Sequence, residues 1–128
     1  MSGDPLDPQS WFLVASDDLA VAKICFASQH LSHTLIHRQQ AVEKALKGKL
    51  ISHNWKFSRT HEIGKLIEEA RLHGVDVTWF TDMGKTLSFQ YFGSRYPDVG
   101  AADFTVEEVQ TLLTETEKLL NQITPKKL

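Results

Sequence analysis

Residues 31–50 read Leu31-Ser32-His33-Thr34-Leu35-Ile36-His37-Arg38-Gln39-Gln40-Ala41-Val42-Glu43-Lys44-Ala45-Leu46-Lys47-Gly48-Lys49-Leu50. Leu31, Leu35, Val42, Leu46 and Leu50 recur at helical spacing, and Gln39 fills the place of one apolar residue in that stripe. An apolar row of this period lies on one face of an α-helix and has to be covered by other elements. Working upstream, Phe12, Ala15, Leu19, Ala22 and Phe26 form a second stripe at steps of three and four. It follows an arm containing Pro5 and Pro8, and Ser10 is its candidate N-cap. No Gly or Pro separates the two stripes before Gly48. The first helix therefore runs to the His30–His33 region, where the second begins with little to mark the break.

Downstream, Asn54 breaks a loop over roughly residues 52–58 that also holds Trp55 and Phe57. Thr60 is the candidate cap of a third helix, buried through Ile63, Leu66, Ile67 and Ala70, with Gly74 as its terminator. Phe80, Met83, Leu87 and Tyr91 predict a fourth, bounded by Gly93 and Pro97. Thr105-Val106-Glu107-Glu108 is a capping box for a fifth, whose stripe is Val109, Leu112, Thr116, Leu119 and Ile123. No segment alternates with period two and no repeat is present. The expectation is an all-α bundle of four to five helices in a single domain. Its limits are an N-terminal arm over 1–9, the bundle over 10–124 and a tail over 125–128.

The composition agrees with that class. The chain has 128 residues, one domain's length, with 41% hydrophobic and 23% charged residues. That balance excludes a disordered chain, and no apolar run reaches the roughly 18 residues of a membrane span. Residues 1–10 hold Asp4 and Asp7 and no basic residue, unlike a targeting signal. A single cysteine, Cys25, excludes an internal disulfide framework and fits a reducing, cytoplasmic location.

The net charge of −2 excludes a strongly basic whole-domain nucleic-acid binder, but the charge is unevenly placed. Arg38, Lys44, Lys47, Lys49, Lys56, Arg59, Lys65 and Arg71 stand against only Glu43, Glu62, Glu68 and Glu69 in the middle of the chain. From Asp98 onward six acids face three lysines. The middle reads either as a basic patch or as a solvated face of mixed charge. Glu43 and Lys47, at i and i+4, read as an ordinary helix-stabilising pair.

Three blocks carry a family resemblance. Gln39-Gln40-Ala41-Val42-Glu43-Lys44-Ala45-Leu46-Lys47 resembles the second-helix signature of HEPN domains (higher eukaryotes and prokaryotes nucleotide-binding). Thr60-His61-Glu62-Ile63 followed by Leu66, and Arg95-Tyr96-Pro97-Asp98, resemble two later blocks of the same family in the same order. Together they span about residues 10–123. The resemblance implies an up-and-down helical bundle, commonly a homodimer with a cleft between protomers. Many members are metal-independent ribonucleases, some of them toxins paired with a nucleotidyltransferase-fold protein. Others bind nucleotides or RNA without cutting.

The ribonuclease members carry Arg, four to six residues, then His. Arg neutralises the scissile phosphate while His moves a proton at the 2′-hydroxyl or the leaving oxygen. Here no arginine has a histidine at that distance. Arg95, at the family position, is followed by Gly100, Ala101 and Ala102 at the three positions tested. The resemblance thus points to a binding module rather than a nuclease, with no catalytic residue assigned and no cofactor implied.

The candidate nucleotide- or RNA-binding residues are Arg95, Tyr96, Asp98, His61, Lys44 and Lys47. Arg95 either contacts a phosphate or carboxylate or pairs with Asp98 or a neighbouring acid. Tyr96 stacks on a base or caps the core. His61 bonds a loop or a partner subunit, or transfers a proton. Lys44 and Lys47, three apart, meet phosphate or stand in solvent. The possible partners are a second copy, a nucleotide or RNA, and a nucleotidyltransferase-fold protein, with no membrane.

A rival reading uses the histidines. His30, His33 and His37 share a helical spacing, and His33 with His37 at i, i+4 can bind one metal. His61 or His73 would supply the third ligand of a metal-binding helical-bundle enzyme. There is no glycine-rich phosphate loop and no nucleophile elbow.

Overall fold

A computed structural model describes residues 5–56, 60, 62–80 and 104–125. It is all-α. The described residues form four α-helices, α1 (Pro8–Ala27), α2 (Leu31–Ser52), α3 (Ile63–Leu72) and α4 (Val106–Ile123), and a 3-10 turn over Thr78–Phe80. The described residues include no strand, and no helix is long and apolar enough to cross a membrane. The helix expected through Phe80, Met83, Leu87 and Tyr91 is met only at its first residue. Phe80 ends the 3-10 turn, and the other three lie outside the described residues.

Helix starts follow side-chain chemistry more closely than apolar period. α1 begins two residues before the expected cap, because Asp7 rather than Ser10 does the capping. The Gln9 N–H donates to Asp7 Oδ1 at 3.0 Å, and Pro8 fills the first turn, where no N–H is needed. Thr60 likewise does not cap α3. Its Oγ1 accepts from the Glu62 N–H at 3.2 Å in a turn before the helix, which starts at Ile63. The capping box of α4 is as read: Glu108 N–H donates to Thr105 Oγ1 at 3.1 Å and Thr105 N–H to Glu108 Oε1 at 2.9 Å.

Three helices end in the same way, each with one left-handed residue and two backbone bonds closing the last turn. Gly74 (φ 81°) ends α3, with Val75 N–H to Ala70 O at 2.8 Å and Gly74 N–H to Arg71 O at 3.0 Å. Asn54 (φ 63°) ends α2 and Gln29 (φ 64°) ends α1. His30 N–H to Cys25 O at 2.8 Å and Gln29 N–H to Phe26 O at 3.0 Å complete the α1 end. Gln29 holds a conformation that disfavours a Cβ. Gln29→Gly is therefore expected to raise stability by about 0.5–1 kcal/mol, read as a small rise in the urea midpoint.

The turn after α1 is so short that α1 and α2 fold back on each other as a helical hairpin, the most extensive pairing among the described helices. Ala15, Ala22, Ala41 and Ala45 are fully buried and let the helices approach. At Gly48 the approach leaves no room for a side chain: a Cβ there would lie 2.9 Å from Trp11 Cβ and from Phe12 Cε1. α2 also packs on α3 and α4, and α1 touches α4. The main core joins all four helices and the 3-10 turn through Leu19, Leu46, Leu50, Ile63, Leu66, Leu119 and Phe80. A smaller cluster of Leu35, Val109 and Leu112 sits between α2 and α4. Each fully buried Leu or Phe in these clusters contributes about 1.5–3 kcal/mol.

Candidate functional site

Because α2 is packed against three helices, it has little dry-free face left for polar residues. Thr34, Arg38, Gln39, Glu43 and Lys47 are all buried on it. Thr34 satisfies itself, its Oγ1 donating to His30 O one turn back at 2.9 Å. Lys47 Nζ meets Glu43 Oε2 at 2.9 Å, and Gln39 Nε2 donates to Glu43 Oε1 at 3.4 Å. Lys47 Nζ also lies 5.7 Å from the centroid of the Trp11 ring, a cation–π contact with α1. The Glu43–Lys47 pair is therefore not an ordinary surface pair. Its side chains are only 5% and 3% exposed.

Arg38 is the other buried cation, and it is held differently. Its Nε donates to Thr116 Oγ1 on α4 at 2.8 Å, and Thr116 Oγ1 in turn donates to Leu112 O at 2.8 Å. The guanidinium carbon stands 6.0 Å from the centroid of the Phe80 ring. Among the described residues, Nη1 and Nη2 are buried with no hydrogen-bond partner, as is Gln39 Oε1. Burial pushes the guanidinium well below its ordinary value, to about 9, opposed in part by the charge of Glu115. Lowering the folded value of a cation means its charged form costs stability at neutral pH. That cost is relieved only as pH rises above about 9.

Of the sequence candidates, Lys44 and Lys47 are described, and they fall in separate places. Lys44, half-buried, reaches across to α1 and pairs with Asp18 Oδ2 at 2.8 Å. Lys47 is inside with Glu43, so a solvated face for it is overturned, and the two lysines do not form a joint surface. Arg95, Tyr96, Asp98 and His61 lie outside the described residues. Arg38 was counted only as part of the basic middle. Its signal is its register: it lies three after Leu35 and four before Val42, on the buried stripe itself.

The rival metal reading gains no support. His30 precedes α2 at its N-cap position, and its ring meets that of His33 edge-on at 6.3 Å. His73 is instead beside His53, ring centroids 6.5 Å apart, where α2 and α3 end. His37 and His53 are separated along α2 by roughly 24 Å at 1.5 Å per residue, so His73 cannot complete a site with the earlier histidines. Among the described residues no three His, Cys, Asp or Glu are grouped to hold a metal ion.

A groove of about 550 Å³ runs between α1 and α4, along Ser16, Leu19, Ala20, Leu120, Asn121 and Thr124. The Lys23–Glu117 ion pair crosses it, so its cation is already matched.

A family model described as HEPN domain matches residues 8–126. No curated protein and no solved structure matches the chain.

Proposed function

The chain belongs to the HEPN domain family, and from that membership we propose that it is a nucleotide- or RNA-binding module that does not cleave RNA. The observation that carries the reading is the family match over nearly the whole chain, in a sequence where no arginine is followed at the ribonuclease distance by a histidine. Without that histidine the proton transfer of RNA cleavage has no donor or acceptor in the family position. Arg95 would contact phosphate, Tyr96 stack on a base, and Asp98 and His61 orient them. Of the two lysines, Lys44 is the one that reaches the surface.

The working unit is the bundle over 10–124, acting in the cytoplasm as a homodimer or beside a nucleotidyltransferase-fold partner of toxin–antitoxin type. The test is a panel of nucleotides and short RNAs, with molecular mass measured by light scattering. Saturable binding by a dimer, weakened in Arg95→Ala, is the expected result. A monomer that binds nothing contradicts the reading. So does metal-independent cleavage that vanishes in Arg95→Ala.

A further inference from the structure

We propose that Arg38 is an anion-receiving group, and that its Nη1–Nη2 edge takes two oxygens of a phosphoryl group. The inference deepens the nucleotide reading above and rests on it for the choice of phosphoryl over carboxylate.

The argument starts from two buried cations on one helix. Lys47 has a carboxylate at 2.9 Å. Arg38, with no exposed surface, has none at ion-pair distance among the described residues, and only its Nε–H is bonded. Four of the five guanidinium N–H groups are thus unspent. A buried polar group left unmet is costly, and a buried unpaired charge more so. An arginine serving only to tie α2 to Thr116 needs one donor, which a neutral side chain supplies without that cost.

The geometry also selects the ligand. Thr116 holds Nε and Phe80 stands beside the guanidinium, which leaves the end-on pair of N–H groups as the unused edge. That edge presents two parallel donors, the fork that matches two oxygens of a phosphoryl group. The neighbouring unpaired atom, Gln39 Oε1, is an acceptor and belongs to the next residue along α2. Because the edge is covered, an anion reaches it by local opening of the bundle, and the bound state excludes water.

The experiment is thermal unfolding of the full chain in sodium chloride and in sodium phosphate at matched ionic strength, and with ATP or adenosine added. The wild type is expected to gain about 5 °C from saturating phosphate or ATP and nothing from adenosine. Arg38→Met, which keeps volume and removes the fork, is expected to lose both responses. Unchanged responses in Arg38→Met overturn the inference, and so does a wild type indifferent to phosphate and ATP alike.

A second measurement needs no variant. In arginine-labelled wild type, the Arg38 side-chain nitrogen resonances are expected to shift with phosphate, and resonances unmoved at saturation overturn the inference. The arms separate the two readings. RNA binding that survives Arg38→Met leaves the nucleotide reading standing and removes Arg38. A phosphate response lost in Arg38→Met, in a protein that binds no nucleotide or RNA, keeps Arg38 as a free-phosphate site and removes the nucleotide reading.

Discussion

Replacing Glu43 by alanine is expected to lower the unfolding free energy by about 3–5 kcal/mol, a large part of the margin of a domain this size. Glu43 is the carboxylate that matches Lys47 inside the bundle, and it also accepts from the Gln39 amide. Removing it takes away the carboxylate 2.9 Å from an ammonium that is 3% exposed. The loss comes mainly from the desolvated charge left behind, not from the intrinsic worth of the pair. The double variant Glu43→Leu with Lys47→Met should therefore recover most of the loss, because neither charge then needs solvation. Urea unfolding followed by far-UV circular dichroism reads both, with equal slopes for the variants being compared. The exposed Lys23–Glu117 pair is the control. Each side chain is 48% exposed, and breaking it is expected to cost no more than about 1 kcal/mol.

The second large effect is expected at Phe80. Phe80→Ala should cost about 3–5 kcal/mol, from lost burial and the cavity left behind. Phe80 is fully buried in the main core although it sits on a turn of three residues. That turn is pinned from both sides. Thr78 donates through its N–H and Oγ1 to Asp76 Oδ1, at 3.3 and 2.8 Å, and Gln122 Nε2 on α4 donates to Asp76 O at 2.8 Å. The ring is also a neighbour of the Arg38 guanidinium, so truncation removes part of what covers a buried cation. Trp79, the residue before it, is 39% exposed, and Trp79→Ala is expected to cost less. Thermal unfolding of the two variants side by side reads the difference.

Much of the fold was legible because apolar period and capping chemistry are local. The stripes of α1, α2, α3 and α4 are buried except at Phe26 and Leu31, which are half-buried beside the α1–α2 break, and Gln39 occupies its apolar place in the interior. The break between α1 and α2 was not, since it is made by a glutamine in a left-handed conformation that glycine or asparagine would have announced. The α3 start lies later than Thr60 suggests, because Thr60 spends its oxygen on a turn two residues before the N-cap position, Glu62. The candidate site was less legible than the fold. Charged residues on α2 were assigned to solvent or to a ligand because charge usually stays wet. α2, however, is covered by three helices, and coverage is a tertiary fact that decides whether Lys47 and Arg38 meet water or protein. The register of Arg38 between Leu35 and Val42 outweighed its charge.

The most direct test of a HEPN domain that binds without cutting is a titration of a fluorescent oligoribonucleotide with the full chain in EDTA, read by anisotropy and then by gel. Anisotropy that rises to saturation while the RNA stays full-length is the result expected. Anisotropy that never rises, or RNA that emerges as fragments, would contradict it.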